Sequence, residues 1–319
     1  VVEADVQRLL EGNRRALARI ISLVENDAPE GRRALRLLHP HTGRAHTVGV
    51  TGPSGSGKST LLGALAKEYR SRGRTVGIVA VDPSSPFSHG ALLGDRIRMQ
   101  ELTSDPEVFL RSMATRGSLG GLAAATSQVV AVLDAAGKDI VFIETVGAGQ
   151  DEVEVANTAQ TTIVVNTPAT GDDVQTMKAG ILEIADLLVV NKADLPGADT
   201  LAGQLLGLLS LAQSGDRAVP VISTVSTKGD GIGELADAID EHRRFLEESG
   251  GLERHRRRQA RHQILAAARH RLMDEVVRSA EGDGSLDALV DAVAERSLDP
   301  DGAAEKLIES GRASRASRP

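Results

Sequence analysis

One octapeptide limits the fold more than any other feature of the chain. Gly52-Pro53-Ser54-Gly55-Ser56-Gly57-Lys58-Ser59 fits G-x-x-x-x-G-K-[ST], directly after the β-branched run Thr47-Val48-Gly49-Val50-Thr51 and directly before a helical pattern over 60–68. A strand, a glycine-rich loop and a helix in that order let backbone N–H groups curl around phosphate oxygens at the positive end of the helix. The Lys58 ammonium then neutralises the terminal phosphates and the Ser59 hydroxyl ligates magnesium. Gly52, Pro53, Ser54, Gly55, Ser56, Gly57, Lys58, Ser59 and Thr60 are therefore the candidate phosphate-binding residues.

The rest of the chain supplies the sheet that such a loop needs. Apolar, β-branched runs at 46–50, 75–81, 108–113, 139–143, 162–166, 187–190 and 219–223 alternate with amphipathic helical patterns. Continuous apolar strands separated by helices predict a mostly parallel, doubly wound α/β sheet covered on both faces. Before it, residues 1–44 read as a helical extension, with Leu9, Leu10, Leu17, Ile20, Ile21 and Val24 spaced for one buried face. The nucleotide domain is expected over 45–231, a helical and dimer-forming region over 232–311, and a disordered tail over 312–319.

Composition removes several function classes. Tyr69, Phe87, Phe109, Phe142 and Phe245 are the only aromatic residues apart from histidine, so there is no platform for stacking single-stranded nucleic acid. The net charge of -7 offers no general attraction to polyanions. With no cysteine, disulfides and thiolate metal sites are ruled out, which fits a cytoplasmic protein. The uncharged run 117–133, which no other exceeds, is broken by Gly, Ser, Thr and Gln, so no membrane span is expected.

Which nucleotide is bound can be read from Asn191-Lys192-Ala193-Asp194, which follows the strand at 187–190. N-K-x-D at a strand end reads guanine, because a carboxylate accepts from both the ring N–H and the exocyclic amine. Adenine lacks that donor pair. Ser226 and Thr227, in Ser226-Thr227-Lys228, occupy the place of a backbone loop against the base. Glu144 ends the strand at 139–143 and precedes Thr145-Val146-Gly147, the layout of a switch that senses a γ-phosphate. There Gly147 offers its N–H and Glu144 holds magnesium through water. Asp82 and Asp95 are candidates for the metal's outer shell, the competing reading of Asp95 being a helix N-cap or a solvated charge.

Taken together, these motifs resemble the MeaB/ArgK-type GTPases, the chaperones associated with adenosylcobalamin-dependent methylmalonyl-CoA mutase. The resemblance also rests on Val81-Asp82-Pro83-Ser84-Ser85, Gly94-Asp95-Arg96-Ile97-Arg98-Met99 and Arg116-Gly117-Ser118-Leu119-Gly120-Gly121. It implies a GTPase of the signal-recognition-particle and MinD class that binds GTP, GDP and Mg2+ and dimerises through C-terminal helices. Hydrolysis would be slow until a cobalamin-dependent acyl-CoA mutase completes the site. It further implies that Lys58, Glu144, Gly147 and Lys178 serve catalysis, that Ser59, Asp82, Asp95 and Glu144 hold the metal, and that Asn191, Lys192 and Asp194 read guanine.

Two other readings share the loop. A nickel-delivery GTPase needs soft or imidazole ligands, and His39, His41 and His46 are the only local histidine group. An ATP- or GTP-dependent kinase linked to amino-acid transport is opposed by the N-K-A-D sequence. The dense positive run at 254–262 reads as a solvated helix face or a partner contact.

Overall fold

The apolar runs become strands whose neighbours all lie parallel. In the computed structural model these are β1 (His46–Thr51), β2 (Val76–Asp82), β3 (Val108–Ala114), β4 (Ile140–Thr145), β5 (Thr161–Asn166), β6 (Leu187–Asn191) and β7 (Val221–Thr224). The spatial order is β3-β2-β4-β1-β5-β6-β7. The structure describes residues 2–82, 102, 104–114, 121–145, 158–168, 183–212 and 218–316. Asp95, Gly147 and Lys178 lie outside the described residues, as do the motif stretches 83–85, 94–99, 116–120 and 146–150.

Helices α1 (Val2–Leu10), α2 (Arg14–Glu25) and α3 (Pro29–Leu38) precede the sheet, and α4 (Lys58–Ser71) follows β1. Later come α5 (Gly121–Ala135), α6 (Ala198–Ala212), α7 (Ile232–Glu248), α8 (Gly251–Gly282), α9 (Ser285–Ala294) and α10 (Pro300–Ala316). The helical pattern expected over the first residues is broken at Gly12, with φ +86°, and restarts at Asn13. The Asn13 side chain accepts from the N–H groups of Arg15 and Ala16, satisfying two first-turn donors of α2.

Strand alternation divides the core. Val48 and Val50 of β1, Ile78 of β2, Phe142 of β4, and Ile163 and Val165 of β5 face α4 and α7. On the opposite face, Val79, Val81, Val141 and Ile143 pack with α5 and with Leu17, Ile20, Ile21 and Val24 of α2. Each such fully buried aliphatic side chain stabilises by about 1.5–3 kcal/mol relative to exposure. Leu188 and Val190 of β6 pack separately under α6.

The N-terminal helices therefore share the sheet's own core rather than forming a detached extension. Asp134 at the end of α5 fastens them further, its carboxylate accepting from the backbone N–H groups of Gly43, Arg44 and Ala45 just before β1.

Two expected boundaries are corrected. Residues through Gln259 form one compact unit, because Ile232, Leu235, Ala236 and Ile239 place α7 in the sheet's core; the helical region starting at 232 is thus not one body. The second unit, Ala260–Pro319, holds the remainder of α8 together with α9 and α10. Within it, α10 runs through Ala316, so the chain is helical well past 312. Ala313, Ser314, Arg315 and Ala316 contain no helix breaker. Strand β4 also runs further than expected and includes Glu144, whose register partners are Val50 and Ala80.

At the amino ends of the strands a buried polar chain crosses the sheet. His46 Nε2 lies 2.8 Å from the Thr161 hydroxyl, which lies 2.8 Å from His242 Nδ1 on α7. His242 Nε2 in turn faces Asp186 at 3.4 Å. Burial, reinforced by the charges of Arg243, His242 and Arg74, pushes the His46 pKa down to about 3. No helix among the described residues is long and apolar enough to cross a membrane.

Candidate nucleotide site

The sheet fills outward from β1, to β4, β2 and β3 on one side and to β5, β6 and β7 on the other. A ligand crevice is expected at the carboxyl ends of the strands where the order reverses, and the glycine-rich loop leaves β1 at that point. Gly52 has φ +140°, and a Cβ there would collide with the carbonyl oxygen of Val165 on β5. Gly57, the N-cap of α4, has φ +88°, and a Cβ there would sit 2.5 Å from Asn191 Nδ2. Glycine is thus required at both ends of the loop by the strand ends beneath it. With no capping side chain at Gly57, the first turn of α4 presents its positive end to the crevice.

Lys58 is buried, and its ammonium donates to the carbonyls of Gly52 at 2.7 Å and Pro53 at 2.9 Å, folding the side chain back inside the loop. Next to it the Ser59 hydroxyl donates to Glu144 Oε1 at 2.6 Å. This oxygen-only pair, from the first turn of α4 and the end of β4, has the donor chemistry that suits a hard cation such as magnesium. Asp82 is the last residue of β2, a neighbour of β4, and only its backbone is described.

At the end of β6 the N-K-x-D residues divide their work. Both ends of the buried Asn191 amide are engaged within the protein. Its Nδ2 donates to the Ser56 carbonyl at 2.8 Å, and its Oδ1 accepts from the Ser226 hydroxyl at 2.7 Å and the Thr224 hydroxyl at 3.2 Å. Asn191 therefore braces two loops, a role that the sequence motif alone does not show. Lys192, with φ +57°, reaches back to the Gly55 carbonyl at 2.8 Å. Asp194 stands exposed, with Lys228 Nζ 3.3 Å from its Oδ2.

Thr60, Ser226 and Thr227 line one cavity of about 620 Å³ with Gly63, Lys67 and Lys228, bounded by α4 and the loop after β7. The structure thus gathers the loop, Glu144, Asn191, Lys192, Asp194, Ser226 and Thr227 at the carboxyl edge. Sequence reasoning passed over Thr224 and named Lys228 without assigning it a role. Their signal was adjacency alone, one residue ending β7 and the other following Ser226 and Thr227.

An all-parallel sheet carrying this loop after its central strand and N-K-x-D at the end of β6 defines a P-loop protein of the GTPase type. The family model of the methylmalonyl-CoA mutase-associated GTPase MeaB matches residues 17–281, and the chain belongs to that family. A Pyrococcus abyssi protein provisionally named a GTPase is 48% identical over 97% of this chain and 96% of its own length. The Escherichia coli GTPase ArgK is 36% identical, covering 80% of each chain. A solved structure described as an LAO/AO transport system kinase superposes with a TM-score of 0.72 at 25% identity, covering 97% of this chain and 96% of the other.

Proposed function

We propose that the protein binds GTP with magnesium, hydrolyses it slowly alone, and uses the cycle as a switch. The partner is an adenosylcobalamin-dependent acyl-CoA mutase, with methylmalonyl-CoA mutase the first candidate. The observation that carries the nucleotide reading is the joint between loop and base motif: Asn191 holds the Ser56 carbonyl, Lys192 holds that of Gly55, and Asp194 stands beyond them at the crevice. A base read by Asp194 is thereby set in fixed register with phosphates held by the loop. The description of the matching family supports the choice of mutase.

In this reading Lys58 leaves the Gly52 and Pro53 carbonyls for the β- and γ-phosphates. Ser59 and Glu144 would hold the cation, which when bound would neutralise charge on the phosphate oxygens. Asp82 and Asp95 complete the metal's surroundings, Gly147 offers a backbone N–H to the γ-phosphate, and Lys178 adds positive charge as the leaving oxygen develops. Asp194 accepts the two donors of guanine, with Thr60, Ser226 and Thr227 beside the base and ribose. In this reading Arg96, Arg98 and Arg116, though near the motifs in sequence, are not assigned as an arginine finger, and the partner completes the site and raises the slow intrinsic rate.

The second compact unit supports a homodimer. Ile264, Leu265, Leu272 and Met273 of α8, Val290 of α9 and Ile308 of α10 are exposed large apolar side chains within 60 residues. Burying such a set against a second copy removes it from water.

The deciding experiment measures phosphate release from GTP by the purified protein with candidate cobalamin mutases added one at a time. Stimulation and complex formation with one of them is expected. No stimulation and no complex with any would end the mutase assignment while leaving GTP binding intact. Binding of ATP as tight as that of GTP would instead favour the transport-kinase reading.

A further inference from the structure

The exposed carboxylate of Asp194 is already in use. Lys228 Nζ lies 3.3 Å from its Oδ2, and the two residues stand on turns that are each pinned to the same framework. On one side the N–H groups of Lys228 and Gly229 both donate to the Val225 carbonyl, at 2.9 and 3.0 Å, and Val225 pairs with Asp230 in an antiparallel bridge. Ser226, between them, is held by Asn191 at 2.7 Å. On the other side Ala193 N donates to the Thr224 carbonyl at 3.0 Å, and Leu195 N donates to the Lys192 carbonyl at 3.0 Å, closing the turn that carries Asp194. The ammonium thus reaches the carboxylate from a turn whose backbone is pinned, and Lys228 itself lines the cavity with Thr60, Ser226 and Thr227.

Guanine presents two donors to a carboxylate, its ring N1–H and its exocyclic amine, and occupies both oxygens. Hypoxanthine presents the ring N–H alone and requires one oxygen. Adenine presents no N–H at that ring position. Resting on the guanine-reading assignment made above, we propose that Lys228 is a specificity-determining residue that competes with the guanine amine for Asp194. Guanine displaces the ammonium from the carboxylate, whereas hypoxanthine and adenine leave the ion pair in place. Two consequences follow from the geometry. The ion pair keeps Asp194 satisfied in the empty site, and it lowers the guanine-to-hypoxanthine discrimination below what Asp194 alone would give.

The test compares dissociation constants for GTP, inosine triphosphate and ATP by calorimetry, at fixed magnesium, for wild type and Lys228→Met. Methionine keeps a long apolar side chain and removes the charge. Because all three ligands carry the same phosphates, the ratio of GTP to inosine triphosphate affinity cancels the phosphate contribution. That ratio is expected to rise about two- to fivefold in Lys228→Met, the range set by an exposed ion pair, with inosine triphosphate and ATP affinities unchanged. It should rise with added salt in wild type and stay flat in the variant. Lys228→Ala, which also removes the side chain's body, should raise the same ratio. An unmoved or falling ratio in both variants overturns the competition while leaving the guanine assignment standing. A wild-type protein that binds GTP no better than ATP overturns the guanine assignment itself, whatever Lys228 does.

Discussion

The Ser59 hydroxyl donates to Glu144 Oε1 across 2.6 Å, joining the first turn of α4 to the end of β4. Both groups are buried, and they are the pair expected to share a magnesium ion. Glu144→Gln keeps the shape and an acceptor but removes the negative charge. It should lower the single-turnover hydrolysis rate and the magnesium affinity by about 10- to 100-fold, as loss of an outer-shell carboxylate does elsewhere. GTP affinity measured with saturating magnesium should change far less. A variant with unaltered magnesium dependence would remove Glu144 from the metal's surroundings.

In the proposed reading Lys58 and Asp194 act on different parts of the nucleotide, so their variants should separate. Lys58→Ala is expected to weaken GTP and ATP alike, since the ammonium meets only phosphate. Asp194→Asn should weaken GTP selectively and narrow its advantage over ATP by about tenfold, because the amide meets the guanine donors with an N–H of its own and without the carboxylate's charge, a loss of about 1–3 kcal/mol. Competition binding with both nucleotides reads this directly, and equal losses in the two variants would refute the division of labour.

Asn191 should matter to stability as much as to binding. Asn191→Ala leaves the Ser56 carbonyl and the Thr224 and Ser226 hydroxyls without the partner they share. A destabilisation of about 2–4 kcal/mol is expected in urea titrations, together with weaker binding of every nucleoside triphosphate because the loop loses its brace. Unchanged stability would show that the braced arrangement is not the one adopted in solution.

His46 predicts a pH dependence at the other end of the sheet. Its pKa falls from the ordinary 6.5 to about 3 on folding, so between those values the unfolded chain takes up a proton that the folded protein refuses. Stability from this group is therefore complete above about pH 6.5 and is lost as pH falls, at about 1.4 kcal/mol per unit. His46→Gln preserves a polar group toward Thr161 without the titration. Its stability relative to wild type should improve by about 1 kcal/mol between pH 7.5 and 5.5, and parallel pH profiles would contradict the burial-driven shift.

Much of this architecture was readable from the chain. Valine and isoleucine runs such as Val48 to Val50 must be covered on both faces, and the glycine-rich loop fixes which strand end carries the ligand. Boundaries were harder where long-range pairing decides them. Glu144 is polar and reads as the residue after a strand, yet register with Val50 and Ala80 on both sides holds it in β4. Residues 232–311 read as helical, but nothing local says that Ile232, Leu235 and Ile239 pack into the core beside α4, β5 and β7. The bracing contacts of Asn191 were not legible for a similar reason. A motif names the residue, whereas the Ser56 carbonyl and the Ser226 hydroxyl that engage it come from 135 and 35 positions away.

β1 is enclosed by β4 and β5, and all six of its residues are buried. The loop that must reshape itself around a nucleotide is therefore rooted in the stretch of backbone least able to open. In a deuterium-exchange experiment the amides at 48–50 should be among the last to exchange, reached only when the whole sheet comes apart. Loop rearrangements at the crevice can then occur many times over without bringing the protein any closer to unfolding.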